Sequence, residues 1–367
     1  MRDYGNDDLQ LRIVPIFWLF LLVAMGPLSA QDAITGNFSG GFGNNTALNN
    51  SAGNSLIYTA PAPTAGKQFF RFVRNGTQLG PAIQSPCVDE DRTGQEGVEY
   101  LNMPTGCNFK AFFIDAPNVT DTYVFKTPSS TDDDFVFFRI QGSIATINSV
   151  SQNPATVYPR QPVTLTANLS QVLDPGQGVY LRYSTDNFTT SNILEMTQGT
   201  GSNYTATIPG SVQVASGQID YYLFTSGENL AGTLNNNNAD WYTINLNNNG
   251  NSNYGYTVEP SWPTAQGGNW STPASWLPGA VPPPDVAVAI NHDVTLDQDA
   301  TLGGLTVDAS ATFTAGDGNL RTLTLSPGAE VTIYGGLTAN GAYYLAQGDN
   351  ILADSTGGST PLDLDAV

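Results

Sequence analysis

Five pairs of apolar residues recur down the last third of the chain at nearly constant spacing: Val286/Val288, Leu305/Val307, Leu323/Leu325, Tyr343/Leu345 and Leu362/Leu364, in steps of 19, 18, 20 and 19. A second set, Val294/Leu296, Phe313/Ala315, Val331/Ile333 and Ile351/Ala353, keeps the same rhythm. Each pair is an i, i+2 couple, which in a strand points both side chains to one face, and Gly, Asp, Asn, Ser and Pro fill the gaps as turn formers. The pattern predicts a parallel β-solenoid. One coil cannot bury its own apolar stripe, so coils stack into a continuous core. Leu362 and Leu364 would open a fifth coil whose companion pair falls beyond Val367, so the coils are expected to continue past the last residue, the given segment being a truncated piece.

The other end of the chain sets the compartment. An apolar run from Ile13 to Met25 is too short to span a bilayer comfortably, and Leu28-Ser29-Ala30 after Gly26-Pro27 suits cleavage of a signal peptide, residues 1–30, after Ala30. No later run is long enough to cross a membrane, so none is expected after cleavage. Without its leader the chain keeps 10 basic against 29 acidic residues. That surface repels phosphate backbones and anionic lipid heads, which excludes nucleic acid and polybasic membrane docking. Cys87 and Cys107 are the only cysteines. In an oxidising compartment they are expected to form one disulfide, contributing roughly 3 kcal/mol in the chain-entropy account.

The mature region shows no long helical pattern. Short alternating segments punctuated by Gly, Pro, Asn and Asp predict an all-β protein of three units. The first, residues 31–146, carries Gln68-Phe69-Phe70-Arg71-Phe72-Val73, Phe109-Lys110-Ala111-Phe112-Phe113-Ile114, Tyr123-Val124-Phe125 and Phe135-Val136-Phe137-Phe138-Arg139-Ile140. Apolar residues on both parities mean strands buried on both sides, or one face turned toward a neighbour. Asp132-Asp133-Asp134 offers oxygen ligands for Ca²⁺ or, as the plainer reading, a solvated turn. The second unit, residues 147–259, alternates cleanly: Val163/Leu165/Ala167/Leu169, Val179/Leu181/Tyr183, Tyr204/Ala206/Ile208 and Ile219/Tyr221/Leu223 face one way. That is an immunoglobulin-like β-sandwich with one solvated face per sheet.

Two resemblances follow from these residues. The run Val179-Tyr180-Leu181-Arg182-Tyr183-Ser184-Thr185-Asp186, with Tyr204 to Pro209 and Ile219 to Gly227, resembles the immunoglobulin-like modules of large secreted bacterial surface proteins. More distantly it is similar to starch-binding sandwich modules, although Ser226-Gly227 stands where their pattern has Asp-Gly, and Trp241 is followed by Tyr242-Thr243. In residues 260–367, Gly268-Asn269-Trp270-Ser271, Trp276, Pro278-Gly279 and Asp285-Val286 resemble the lead-in to β-helical regions of secreted proteins from bacteria that use type IX secretion. The resemblance implies that Trp270 and Trp276 cap the solenoid's open end.

Chemistry is sparsely signalled. The single histidine, His292, sits in the turn Asn291-His292-Asp293 and reads as structural; Asp297 and Asp299 share a strand face but sit in a turn-like Asp-Gln-Asp. Tyr180, Tyr222, Trp241, Tyr242, Tyr254 and Tyr256 are the candidates for a sugar-stacking platform, with Tyr180 and Tyr222 on the parity opposite the predicted core. The expected function is a non-catalytic extracellular surface or adhesion protein whose partner is a polysaccharide or cell-surface glycan. The alternative is the accessory region of a secreted polysaccharide-degrading enzyme whose catalytic part lies elsewhere. No cofactor is expected beyond the Ca²⁺ just named, and the sequence carries no mark of an oligomeric state.

Mass analysis of exported protein should find Gln31 at the N-terminus and Cys87 linked to Cys107. An intact leader, or two titratable thiols per folded chain, would contradict export and oxidation respectively.

Overall fold

A computed structural model describes residues 33–52, 55–61, 63–74, 77–79, 92–93, 112–116, 118–127, 136–227, 242–319, 321–339, 342–347 and 350–356. The leader, Cys87, Cys107, Asp132, Asp133, Asp134, Trp241 and the final Leu362/Leu364 pair lie outside the described residues. The protein is all-β: two β-sandwiches followed by the start of a parallel β-helix.

In the first sandwich, Ile34, Phe70, Phe72 and Phe112 of one sheet meet Tyr123, Phe125 and Phe137 of the other. Phe70 lies edge-on to Phe125 at 5.1 Å and to Phe137 at 5.0 Å, a geometry that sets a positive ring edge against a negative face. The both-parity pattern has its cause in the next unit. On strands Thr122–Thr127 and Val136–Ile140, Tyr123, Phe125 and Phe137 point into the sandwich. Val124, Val136 and Ile140 point outward and pack on Tyr242 and Ile244 of the second unit. The buried Lys126 ammonium donates to the Thr243 carbonyl across the same seam.

The link between these sandwiches is fastened along its length. Gln177 accepts from the Ala145 amide at 2.8 Å and donates to the Ser143 carbonyl at 2.7 Å. Asp174 accepts from the Ser143 amide, and Asn245 donates to the Ala145 carbonyl, both at 2.9 Å. The second sandwich then follows its alternation. Strand Val163–Leu169 is buried at every other residue, and its inward set shares one core with Val179, Leu181, Tyr183, Ile219, Tyr221 and Leu223 of the facing sheet.

The third unit has two parallel sheets. Strands Trp262–Pro263, Val286–Ile290, Ala300–Val307, Arg321–Ile333 and Ala342–Gln347 stack in one; Gly268–Asn269, Val294–Leu296, Thr312–Ala315 and Gly336–Ala339 stack in the other. The expected step of 19 holds where Val294 and Leu296 lie beside Phe313 and Ala315. Elsewhere the rungs differ from the expected pairing. Val288 and Ile290, not Val286 and Val288, lie beside Leu305 and Val307. Val331/Ile333 continues the first sheet beside Leu305/Val307, and Leu337/Ala339 takes the expected place of Val331/Ile333 beside Phe313/Ala315. For Val331/Ile333 and Leu337/Ala339 the cause is a bulge: the ladder passes from Leu302–Leu325 to Gly304–Glu330, leaving Ser326–Ala329 looped out against one residue, Gly303. A side chain at Gly303 would strike the Asp285 carbonyl, its Cβ falling 2.5 Å from that oxygen, so only glycine lets the backbones approach there. Ile351 and Ala353 do not form a further parallel rung. Strand Asn350–Thr356 runs antiparallel to Ala342–Gln347, because the two residues between them cannot make the crossover a parallel partner needs.

The head of the solenoid is closed by aromatic rings. Trp270 and Trp276, each 1% exposed, meet edge-to-face at 4.7 Å, and the Trp276 indole donates to the Trp270 carbonyl at 2.8 Å. Trp262 belongs to the first rung through its register with Val288. Its indole N–H donates 2.8 Å to the Pro159 carbonyl of the second sandwich, and its ring lies 6.1 Å from Tyr158, which is buried in the solenoid's own core cluster.

Trp262→Phe should keep the ring contact but leave the buried Pro159 carbonyl unpaired, costing about 1–3 kcal/mol. Phe313→Ala should cost about 3–5 kcal/mol by opening a core cavity. Denaturant unfolding of the full chain measures both, and losses below about 0.5 kcal/mol would contradict the buried assignments.

Candidate functional site

The platform predicted from sequence is redistributed by the fold. Tyr180 is not exposed on the outer sheet face: it is 2% exposed, stacked on Phe224 at 5.4 Å, because residues Ile193, Tyr222 and Leu246 close around the pair. Tyr242 is 4% exposed and consumed by the seam with the first sandwich; its carbonyl accepts from Ser226. Tyr254 sits on the opposite side, stacked on Tyr221 at 5.4 Å with its hydroxyl donating to Asn247. Beside it the Tyr256 hydroxyl accepts from Gln213. Burial, reinforced by the neighbouring Tyr254, pushes the Tyr221 phenol up to about 12, and burial raises Tyr256 further, so both stay neutral packing groups.

Among the described residues, Tyr222 is the one predicted platform residue left half-exposed on the outer face, and the fold gathers two unpredicted partners around it. Arg182 stands on the adjacent strand in register with Tyr222. Its guanidinium donates to the Tyr222 hydroxyl at 2.7 Å and to Ser191 at 2.8 Å, and lies 5.7 Å from the Tyr222 ring and 5.8 Å from Phe188. The Phe188 and Tyr222 rings are 5.3 Å apart. The result is a half-buried patch of two rings and one planar cation.

Phe188 reaches that position in a backbone conformation that bulky residues avoid. Asn187 and Phe188 have φ of 54° and 61°, consecutive left-handed residues without a glycine. Each such residue costs about 1–3 kcal/mol and persists only where its surroundings over-determine it. Here the surroundings are hydrogen bonds. The Ser184 hydroxyl accepts from the Phe188 amide at 2.8 Å and the Asp186 amide at 3.1 Å, and donates to Asp186 Oδ1 at 2.7 Å. Asp186 in turn accepts from the Thr190 amide at 2.9 Å and the Thr190 hydroxyl at 2.7 Å. These Thr190 bonds, with the Ser184 hydroxyl, hold the Asp186 carboxyl below its ordinary value. Alternation alone places Arg182 outward, between inward Leu181 and Tyr183, so that partner was open to sequence reasoning. Phe188 was not, because its orientation depends on φ.

The remaining acids and the histidine have structural partners. Asp297 accepts from the Ser271 amide and hydroxyl at 2.9 and 2.6 Å, and Asp299 from the Thr322 amide at 2.8 Å. His292 shares a 3.1 Å hydrogen bond with Thr264. Trp270 and Trp276 are buried at the solenoid head as described. Among the described residues no group of three or more His, Cys, Asp or Glu side chains is placed to hold a metal, and no helix is long and apolar enough to cross a membrane. Compared with known proteins, the chain matches no family and no curated protein.

The Asp186 carboxyl is depressed in the folded state, so its contribution is present above the ordinary carboxylate value and is lost as pH falls through the depressed one. Amide resonances of Phe188 and Thr190 should therefore shift together on acidification below the usual Asp range, and Asp186→Ala should release the turn at neutral pH. Unchanged Phe188 and Thr190 resonances in that variant would remove the clamp.

Proposed function

We propose that this chain is a non-catalytic extracellular surface or adhesion protein that holds a glycan on the second sandwich, at Tyr222, Phe188 and Arg182. The observation that carries the reading is Phe188: a strained backbone, clamped by Ser184, Asp186 and Thr190, keeps a ring beside Tyr222 where a core residue would need no such arrangement. Flat rings offer apolar faces to the C–H surface of a sugar, and the Arg182 guanidinium beside them adds a polar edge.

The apolar leader, the acidic and Asn/Ser/Thr-rich composition, and the resemblance of the Gly268-Asn269-Trp270-Ser271 lead-in to secreted bacterial β-helical proteins support a location outside the cell. Buried contacts at both junctions, Val124/Tyr242 and Tyr158/Trp262, suit a stalk that carries this face at a set place.

A glycan array on the full chain should return binders, and Phe188→Ala and Tyr222→Ala should each weaken retention by about tenfold or more with circular dichroism unchanged. An array with no binder, or retention indifferent to both substitutions, would return the second sandwich to a spacer role.

A further inference from the structure

A cleft of about 380 Å³ lies on the flank of the first coils, away from the second-sandwich face. Its lining comes from Pro282 and Pro284 of the segment before Asp285, from Gln298 and Asp299 of the turn after Leu296, and from Thr301 and Thr324, neighbours in register across adjacent strands. Its volume falls within the range of small-ligand clefts, about 300–1,000 Å³.

The proline segment and the turn are both tied to the coils. The proline segment ends at Asp285, whose backbone has φ of 61°. The Asp285 amide donates to the Thr301 carbonyl at 3.0 Å, and its carboxylate accepts from the Ser326 hydroxyl at 2.7 Å. Arg160 of the second sandwich lies 3.5 Å from that carboxylate. On the other side Asp299 is fixed by the Thr322 amide. The cleft is therefore shaped by the chain's own hydrogen bonds, which lowers the entropy a ligand must lose on binding.

The lining also restricts what can enter. Asp299 faces the cleft, Asp297 is two residues away, and the guanidinium of Arg321, which precedes the lining Thr322, is held by Asp317 through bonds of 3.1 and 2.8 Å. With an overall charge of −20, the local field repels phosphate, sulfate and uronate groups. The exposed Pro284 ring presents a rigid apolar face. The Gln298 amide, the Asp299 carboxylate and the two threonine hydroxyls present donors and acceptors for neutral hydroxyls.

We infer that this cleft is a second glycan subsite, selective for neutral saccharides, with the ring's C–H face on the exposed Pro284, behind which Pro282 is buried, and its hydroxyls on Gln298, Asp299, Thr301 and Thr324. The inference rests on the glycan reading of the chain and adds to it a separate location and a charge selectivity.

The test is calorimetric titration of the full chain with neutral hexasaccharides (cello-, malto-, xylo- and laminari-hexaose), with oligogalacturonate as the anionic control. At least one neutral hexasaccharide should bind. The Phe188→Ala/Tyr222→Ala variant should retain a binding phase that Thr324→Phe, which fills the cleft, and Gln298→Ala, which removes a lining group, each weaken by about tenfold or more. Gln298→Ala touches none of the anchoring bonds above, so it serves if Thr324→Phe fails to fold. The inference is overturned if no neutral hexasaccharide binds, if Gln298→Ala leaves affinity within about twofold, or if oligogalacturonate binds as well as the neutral probes. Binding lost only in the Phe188→Ala/Tyr222→Ala variant sinks the cleft and leaves the second-sandwich face standing. Binding lost only in the cleft variants does the reverse.

Discussion

A parallel coil leaves an apolar rung and a row of unpaired backbone groups at each end, and the closure of the head around Trp262, Trp270 and Trp276 answers that constraint. The two short strands Trp262–Pro263 and Gly268–Asn269 supply a first rung for each sheet. The segment that follows folds back so that Trp276 covers Trp270 and Trp270 reaches Phe313, 6.2 Å away. Tyr158 completes the cover from the second sandwich. The head is thus shared between two units, and the solenoid's core continues into the loop that precedes strand Val163–Leu169.

Turns present the same difficulty on a smaller scale, since amides at the end of a strand have no ladder partner. Aspartates meet it. Asp293 accepts from the Thr312 amide of the next coil at 2.7 Å, Asp299 from Thr322, and Asp297 from Ser271 of the preceding rung. Hydrogen bonds to a charged acceptor contribute about 1.5–3 kcal/mol each in favourable settings, with exposed ones toward or below the low end. The acidity of the chain is therefore in part a structural device of the coils. It also gives the solenoid flank its negative field.

Both junctions use side chains that serve a neighbour instead of their own unit. Val124, Val136 and Ile140 cover Tyr242 and Ile244, and the Trp262 indole bonds Pro159. The second sandwich, with the glycan face proposed for it, is consequently held between two buried seams.

The all-β class, sandwiches followed by a parallel solenoid and the clean alternation of the second sandwich were legible in the chain, because each follows from local periodicity and turn chemistry, whereas the tryptophan pair at the lead-in was singled out by resemblance. The both-parity runs of the first unit left open strands buried on both sides or a face turned toward a neighbour, and Val124, Val136 and Ile140 take the second course. Register was legible only where Val294 and Leu296 lie beside Phe313 and Ala315: residue spacing counts every residue, whereas the ladder counts only hydrogen-bonded rungs, and Ser326–Ala329 loop out. Nor were the exposures of Tyr180 and Tyr242. Parity tells which side of a sheet a ring takes, but what covers that side comes from distant segments, Ile193 and Leu246 over Tyr180 and the first sandwich over Tyr242. The sequence by itself determined periodicity, compartment signals and charge, all properties of near neighbours in the chain. Only the tertiary structure decided that Arg182, Phe188 and Tyr222 meet, because one depends on a left-handed backbone held by Ser184 and the others on strands about 40 residues apart.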